Sequence, residues 1–83
     1  MDIKQEIRGY VAEHFVPGGH GLEDTTPLAS GGLIDSIGML GLISFMESRF
    51  GVEFMPRDLD AQALDNLDRI AALIDRKLAA KGS

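Results

Sequence analysis

Residues 36–51 read Ser36-Ile37-Gly38-Met39-Leu40-Gly41-Leu42-Ile43-Ser44-Phe45-Met46-Glu47-Ser48-Arg49-Phe50-Gly51. Met39, Leu42, Ile43, Met46 and Phe50 recur at three- and four-residue steps, so they share one face of a helical wheel. The spacing predicts a helix from Ser36 to Phe50 with that face in a core. Gly51 stands at the stop position, where a helix commonly ends in a left-handed residue.

Upstream, residues 16–35 are rich in Gly, Pro, Thr and Asp and show neither helical nor strand periodicity. Loops of this length inside small domains are uncommon and are usually functional or anchored. The expected anchors are Leu22, Leu28, Leu33 and Ile34. Thr25-Thr26-Pro27-Leu28 reads as a turn that pins an apolar residue against the bundle. Before the loop, residues 2–15 predict an amphipathic helix, with Ile3, Ile7, Tyr10, Val11, His14 and Phe15 at helical steps. Asp2 lies near the start, where the helix dipole favours an acid. Pro17-Gly18-Gly19 ends the pattern.

Downstream, Val52-Glu53-Phe54-Met55-Pro56 reads as a short extended connector. Pro56-Arg57-Asp58-Leu59-Asp60 then forms a short helical turn, with proline in its permitted first position. The last helix begins between Asp65 and Asp68, either of which serves as cap. It carries Leu67, Ile70, Leu73, Ile74 and Leu78 on one side. Lys77 and Lys81 lie near its C-terminal end, as the dipole prefers, and Lys81-Gly82-Ser83 is expected to fray. The expectation is therefore one all-α domain over residues 1–83. It is a small helical bundle of three main helices plus one short helix, with the long loop between the first and second.

Bulk properties narrow the function classes. The 83 residues are 45% hydrophobic and 25% charged, as in a folded soluble domain. There is no cysteine, so neither disulfides nor a thiolate metal site stabilises the chain. A cysteine-free chain without a membrane-spanning apolar run suits the cytoplasm. The opening Met1-Asp2-Ile3-Lys4 lacks the layout of a secretory leader. The net charge of -5 disfavours nucleic acid and anionic membrane and favours partners with basic surfaces. A monomer is expected.

The chemistry concentrates at Gly31-Gly32-Leu33-Ile34-Asp35-Ser36-Ile37. This stretch sets a hydroxyl at the first turn of a helix, behind a glycine-containing loop. Backbone N–H groups are unpaired there and the helix dipole is positive. An anion carried on Ser36 is favoured by that geometry. Taken alone, a serine at such a boundary reads as an N-cap. Ile37 and Leu40 project away from the predicted core, near Gly41 and Ser44. They form a docking patch or are covered by the long loop.

Gly32-Leu33-Ile34-Asp35-Ser36-Ile37 resembles the phosphopantetheine attachment motif of acyl and peptidyl carrier proteins: a glycine, an apolar residue, Asp-Ser and a further apolar residue at the start of the second helix. The resemblance extends over nearly the whole chain. It takes in the first amphipathic helix, Thr26-Pro27-Leu28, Phe50-Gly51-Val52, Asn66-Leu67, Ile70 and Ala71-Ala72-Leu73. It implies that a phosphopantetheinyl transferase moves a 4'-phosphopantetheine arm from coenzyme A onto Ser36. The arm's thiol then holds an acyl or aminoacyl group as a thioester. Any Mg²⁺ in that transfer belongs to the transferase. Asp35 matches the acid beside the family's serine and is implied to help transferase recognition. Ile37, Met39, Leu40 and Glu47 are the implied partner-binding residues of the helix that begins at Ser36.

One departure narrows the type. Fatty-acid carriers often place acids at the positions of Gly38 and Gly41, and here only Glu47 is acidic among the outer positions. Docking is expected to depend on Ile37, Leu40 and Met39 more than on an acidic strip. The pattern looks more like discrete, stand-alone carriers of a specialised pathway, loaded by an adenylating acyl or aminoacyl ligase or a synthase and served by downstream tailoring or condensing enzymes. A fatty-acid or polyketide carrier is the alternative. Glycine within a helix costs about 1 kcal/mol relative to alanine, and the pair implies close approach by a partner or the arm, or a mobile helix.

The remaining candidates are weaker. His14, on or beside the apolar face of the first helix, reads as structural, and His20 as solvated. Together they offer no metal-ligand spacing. Residues 34–38 lack the first glycine of a nucleophile elbow, and no phosphate loop is present. Asp58-Leu59-Asp60 lacks the glycine and glutamate of a calcium loop and reads as a solvated turn. The four methionines read as gap-filling core residues. Besides a non-enzymatic carrier, two other classes remain. One is a helical interaction module with Ser36 as cap. The other is a hydrolase using Ser36 with His14 or His20, for which no third triad member is evident.

Overall fold

A computed structural model describes residues 2–17, 20–60 and 62–81. Three α-helices follow one another: α1 (Ile3–Phe15), α2 (Ser36–Phe50) and α3 (Leu67–Lys81), with a 3₁₀ turn at Pro56–Asp58 before the last. No strand occurs among the described residues. The expected bundle is thus observed. Its radius of gyration of 12.0 Å fits the value of about 12 Å for a compact chain of this length.

Each helix has an identifiable start. Asp2 caps α1 by accepting from Gln5 N at 3.2 Å. Asn66 caps α3, its Oδ1 accepting from Arg69 N at 2.8 Å. That corrects the expected cap at Asp65 or Asp68. Asp68 instead pairs with Lys4 at 2.6 Å, and Asp65 holds the long loop. The helix α2 ends at Gly51, with φ 68°, and Lys81 Nζ donates to the Gly51 carbonyl at 2.6 Å. Lys81 is therefore fixed rather than frayed, while Gly82 and Ser83 lie outside the described residues. The same holds for Gly18 and Gly19 of the expected stop after α1, and for Met1.

The core is built from the predicted faces. Ile7 and Val11 of α1, Leu42, Ile43, Met46 and Phe50 of α2, and Leu67, Ile70, Leu73 and Ile74 of α3 are all buried. Burying each such side chain stabilises the fold by about 1.5–3 kcal/mol before chain entropy is set against it. The methionines divide: Met46 is fully buried, Met39 half-buried and Met55 exposed. Met55 therefore departs from the gap-filling role.

The long loop lies over this core on three of its four expected anchors. Leu22, Leu28 and Ile34 are buried, but Leu33 is 36% exposed. Leu28 does the double work, because its carbonyl accepts from both Leu33 N and Ile34 N. Leu33 then points outward from that turn. Leu28 N donates to the Asp65 carbonyl at 2.7 Å, tying the loop to the start of α3. Thr26 Oγ1 accepts from Glu23 N at 2.7 Å and closes the preceding turn. The Asp65 carboxylate accepts from Ser30 N at 2.8 Å and Ser30 Oγ at 2.6 Å. These bonds hold Asp65 below the usual carboxylate range, led by the Ser30 hydroxyl. Arg8, paired with Asp24, and Lys4 fasten α1 to the same loop.

Candidate functional site

The N-terminus of α2 is the candidate site. Asp35 is its cap, extended at φ -85° and ψ -178°, and its Oδ1 accepts from Gly38 N at 2.7 Å. Ser36 is the first residue inside the helix. This corrects the reading of Ser36 as a cap: the preceding aspartate holds that position. The Ser36 side chain is exposed and forms no hydrogen bond among the described residues. The N–H groups of Ser36 and Ile37 lack a partner there too, as the first turn of any helix requires. A free hydroxyl thus stands at the positive end of a four-turn helix.

Two large apolar residues flank it in solvent. Ile37 is 81% exposed and Leu40 is 61% exposed, so the long loop does not cover them. Met39 is half-buried and turns toward the core. Beside Ser36 opens a groove of about 600 Å³, lined by Ala29, Ile34, Asp35, Ser36, Met39, Leu40, Ile43, Leu59 and Leu64. Its lining is apolar apart from Asp35 and Ser36. Glu47, the other singled-out residue of this helix, lies three turns away. It is half-buried, and its Oε2 accepts from Phe54 N at 2.9 Å.

The glycines of α2 have a cause inside the chain. A Cβ on Gly38 would stand 2.7 Å from the Phe15 ring, and one on Gly41 would stand 3.2 Å from Tyr10 Oη. Both glycines thus let the aromatic end of α1 lie against α2. The close approach expected there is made by α1 itself. Tyr10 stacks on Phe45 at 4.5 Å between centroids and on His14 at 4.0 Å. His14 is exposed, with Nδ1 3.0 Å from the Tyr10 carbonyl, so it sits beside the apolar face rather than within it. Neither histidine hydrogen-bonds Ser36.

Leu59 and Leu64 were not singled out from the sequence. The available signal at Leu59 was an apolar residue set between two aspartates on a turn. Asp58 also differs from expectation. It is paired with Lys77 at 2.6 Å, with side chains 13% and 17% exposed respectively, rather than solvated. The Lys77 hydrogen bond, then the Met55 N–H, hold its carboxyl below the usual range. No helix among the described residues is long and apolar enough to cross a membrane. Compared with family models and with curated proteins, the chain matches none.

Proposed function

We propose that this chain is a carrier protein that holds an acyl or aminoacyl group as a thioester on a 4'-phosphopantetheine arm at Ser36. The observation that carries the reading is the division of labour between Asp35 and Ser36. Asp35 closes the helix end, which leaves the Ser36 oxygen free and exposed at the positive end of α2. In the transfer, that oxygen forms a phosphodiester with the phosphate bearing the arm. It gives up its proton, and the remainder of coenzyme A leaves. The single negative charge left on the diester is favoured beside the N–H groups of the first turn.

The chemistry in this reading belongs to partners, and the chain's own task is tethering. A tethered group meets each partner site at a raised effective concentration. Ile37 and Leu40 form the contact next to Ser36 for a transferase, an adenylating ligase or synthase, and a tailoring or condensing enzyme. Large exposed apolar residues in one place are the usual mark of such a contact. Gly38 and Gly41 carry no acid, so the contact is apolar and fits a specialised pathway better than fatty-acid synthesis. Cytoplasmic location and a monomeric state belong to the same reading.

A plain interaction module is the second reading, favoured by the same exposure of Ile37 and Leu40. It assigns no task to Ser36. Incubation with coenzyme A and a broad-specificity transferase separates the two by intact mass. The carrier gains one phosphopantetheine, and Ser36→Ala gains none. An unchanged mass for the parent chain removes the carrier reading and leaves the module.

A further inference from the structure

The segment that joins α2 to the 3₁₀ turn is fastened from α3 by Lys81 at its first residue, Gly51, and by Lys77 further along. Val52 is buried and Phe54 half-buried, but Met55, Pro56, Arg57, Leu59 and Asp60 are exposed. Lys77 Nζ donates to Asp58 Oδ2 at 2.6 Å and to the Glu53 carbonyl at 2.9 Å. It also lies 5.2 Å from the centroid of the Phe54 ring. Asp58 Oδ2 accepts in turn from Met55 N at 2.7 Å. One ammonium group therefore holds Glu53, Phe54 and Asp58 together.

This pair is unlike the other ion pairs among the described residues. Its side chains are 17% and 13% exposed, whereas every other pair keeps both partners at least 27% exposed. Exposed pairs add little to a fold. Removing one partner of a more sheltered pair is more disruptive, because the remaining charge keeps less contact with water.

Leu59 follows Asp58 directly, and it forms part of the groove beside Ser36 together with Met39, Leu40 and Ile43 of α2. Leu59 is thus the one lining residue that comes from the segment next to the Lys77–Asp58 pair. We propose that Lys77 and Asp58 are positioning residues that set the width of the groove beside Ser36, and with it the size of the apolar group the groove covers. The second half rests on the carrier reading, and the first half does not. The covered group is apolar because Asp35 is the one charged residue of the lining, and its carboxylate is engaged as the cap.

The first arm of the test uses the chain without any arm attached. Lys77→Met keeps the aliphatic stem and removes the charge. Amide hydrogen exchange at Met55, Asp58 and Leu59 accelerates about tenfold or more, while amides in the middle of α2 keep their rates. Lys77→Arg restores slow exchange. Asp58→Asn, which retains an acceptor for Met55 N, reproduces the Lys77→Met pattern and serves if that variant folds poorly. Unchanged exchange at the turn, or equal acceleration in every helix, overturns the proposal.

The second arm loads Ser36 from hexanoyl- and dodecanoyl-coenzyme A with a broad-specificity transferase. Methyl shifts of Ile43, Leu59 and Leu64 are followed against the unacylated arm. The parent chain shows them for the shorter group, and Lys77→Met extends them to the longer one. Identical chain-length dependence in both proteins overturns the size half. If Ser36 accepts no arm, the carrier reading falls and the size half with it, while the exchange data judge the positioning role alone.

Discussion

The ring of Phe15 fills the space over Gly38. A Cβ built on Gly38 would lie 2.7 Å from the ring edge and 3.1 Å from Asp35 Oδ1. The end of α1 is thereby packed against the turn that holds both the cap and Ser36. Any side chain at position 38 must displace the ring, the cap or both.

Gly38→Ala is therefore expected to destabilise the fold. Overpacking of this kind costs about 1–3 kcal/mol, which outweighs the gain of at most about 1 kcal/mol from replacing a helical glycine. Gly41→Ala meets only the Tyr10 hydroxyl at 3.2 Å, and is expected to be the milder change. Urea midpoints of the two variants check the order. Phe15→Leu should reduce the effect of Gly38→Ala, and an unchanged effect in that background would refute the contact as its cause.

Asp35 is assigned two separable tasks. Asp35→Ala removes the cap and is expected to lower stability by about 1 kcal/mol. Asp35→Asn keeps an acceptor for Gly38 N and is expected to stay close to the parent chain in thermal unfolding. Under the carrier reading the same variant slows arm transfer, because the charge beside Ser36 is gone. Equal transfer rates for Asp35→Asn and the parent would confine Asp35 to capping.

The loop over the core depends on Leu28 and on Asp65. Leu28 is fully buried, so Leu28→Ala is expected to cost about 2–5 kcal/mol in a denaturant titration. A loss below about 1 kcal/mol would mean the loop collapses onto the vacated space.

Asp65 gives that loop a pH dependence of defined sign. The folded chain holds its carboxyl below the usual range through Ser30. Its stabilisation is therefore present above the ordinary aspartate pKa and is lost as the pH falls through the lower folded value. Glu6, through Arg49, and Asp58, through Lys77, shift in the same direction, so the parent chain alone does not isolate Asp65. The difference between parent and Asp65→Asn does. It is expected to be largest near about pH 6 and to narrow by about pH 2.5. A difference constant with pH would assign the bonds of Asp65 no electrostatic share.

Leu40→Asp tests the exposed patch. Leu40 is 61% exposed, so the fold is expected to be kept, with a circular dichroism melt near that of the parent. Under the carrier reading, loading by a partner ligase falls. An unchanged loading rate would take Leu40 out of the contact.

Much of the bundle was legible from periodicity, because Ile7, Val11, Leu42, Met46, Ile70 and Ile74 repeat at helical steps and are fully buried. What periodicity could not reach were features set by contacts distant in sequence. Asp65 reads as a cap by position, yet its partner is Ser30, 35 residues away. Gly38 and Gly41 read as room for a partner or the arm, or as a mobile helix, until Phe15 and Tyr10 are seen against them. Asp58 reads as a solvated acid until Lys77, 19 residues on, closes over it. At the candidate site, the sequence reads Ser36 as the cap, and the backbone geometry gives that task to Asp35 instead.

Under the carrier reading, Ser36 alone carries the arm. The most direct measurement is peptide fragmentation mass spectrometry after incubation with coenzyme A and a broad-specificity transferase, with Ser30, Ser44 and Ser48 of the same chain as internal controls. The carrier gains one phosphopantetheine, on the peptide containing Ser36 and on that residue, and Ser36→Ala gains none. An unmodified chain, or modification at another serine, would contradict that reading.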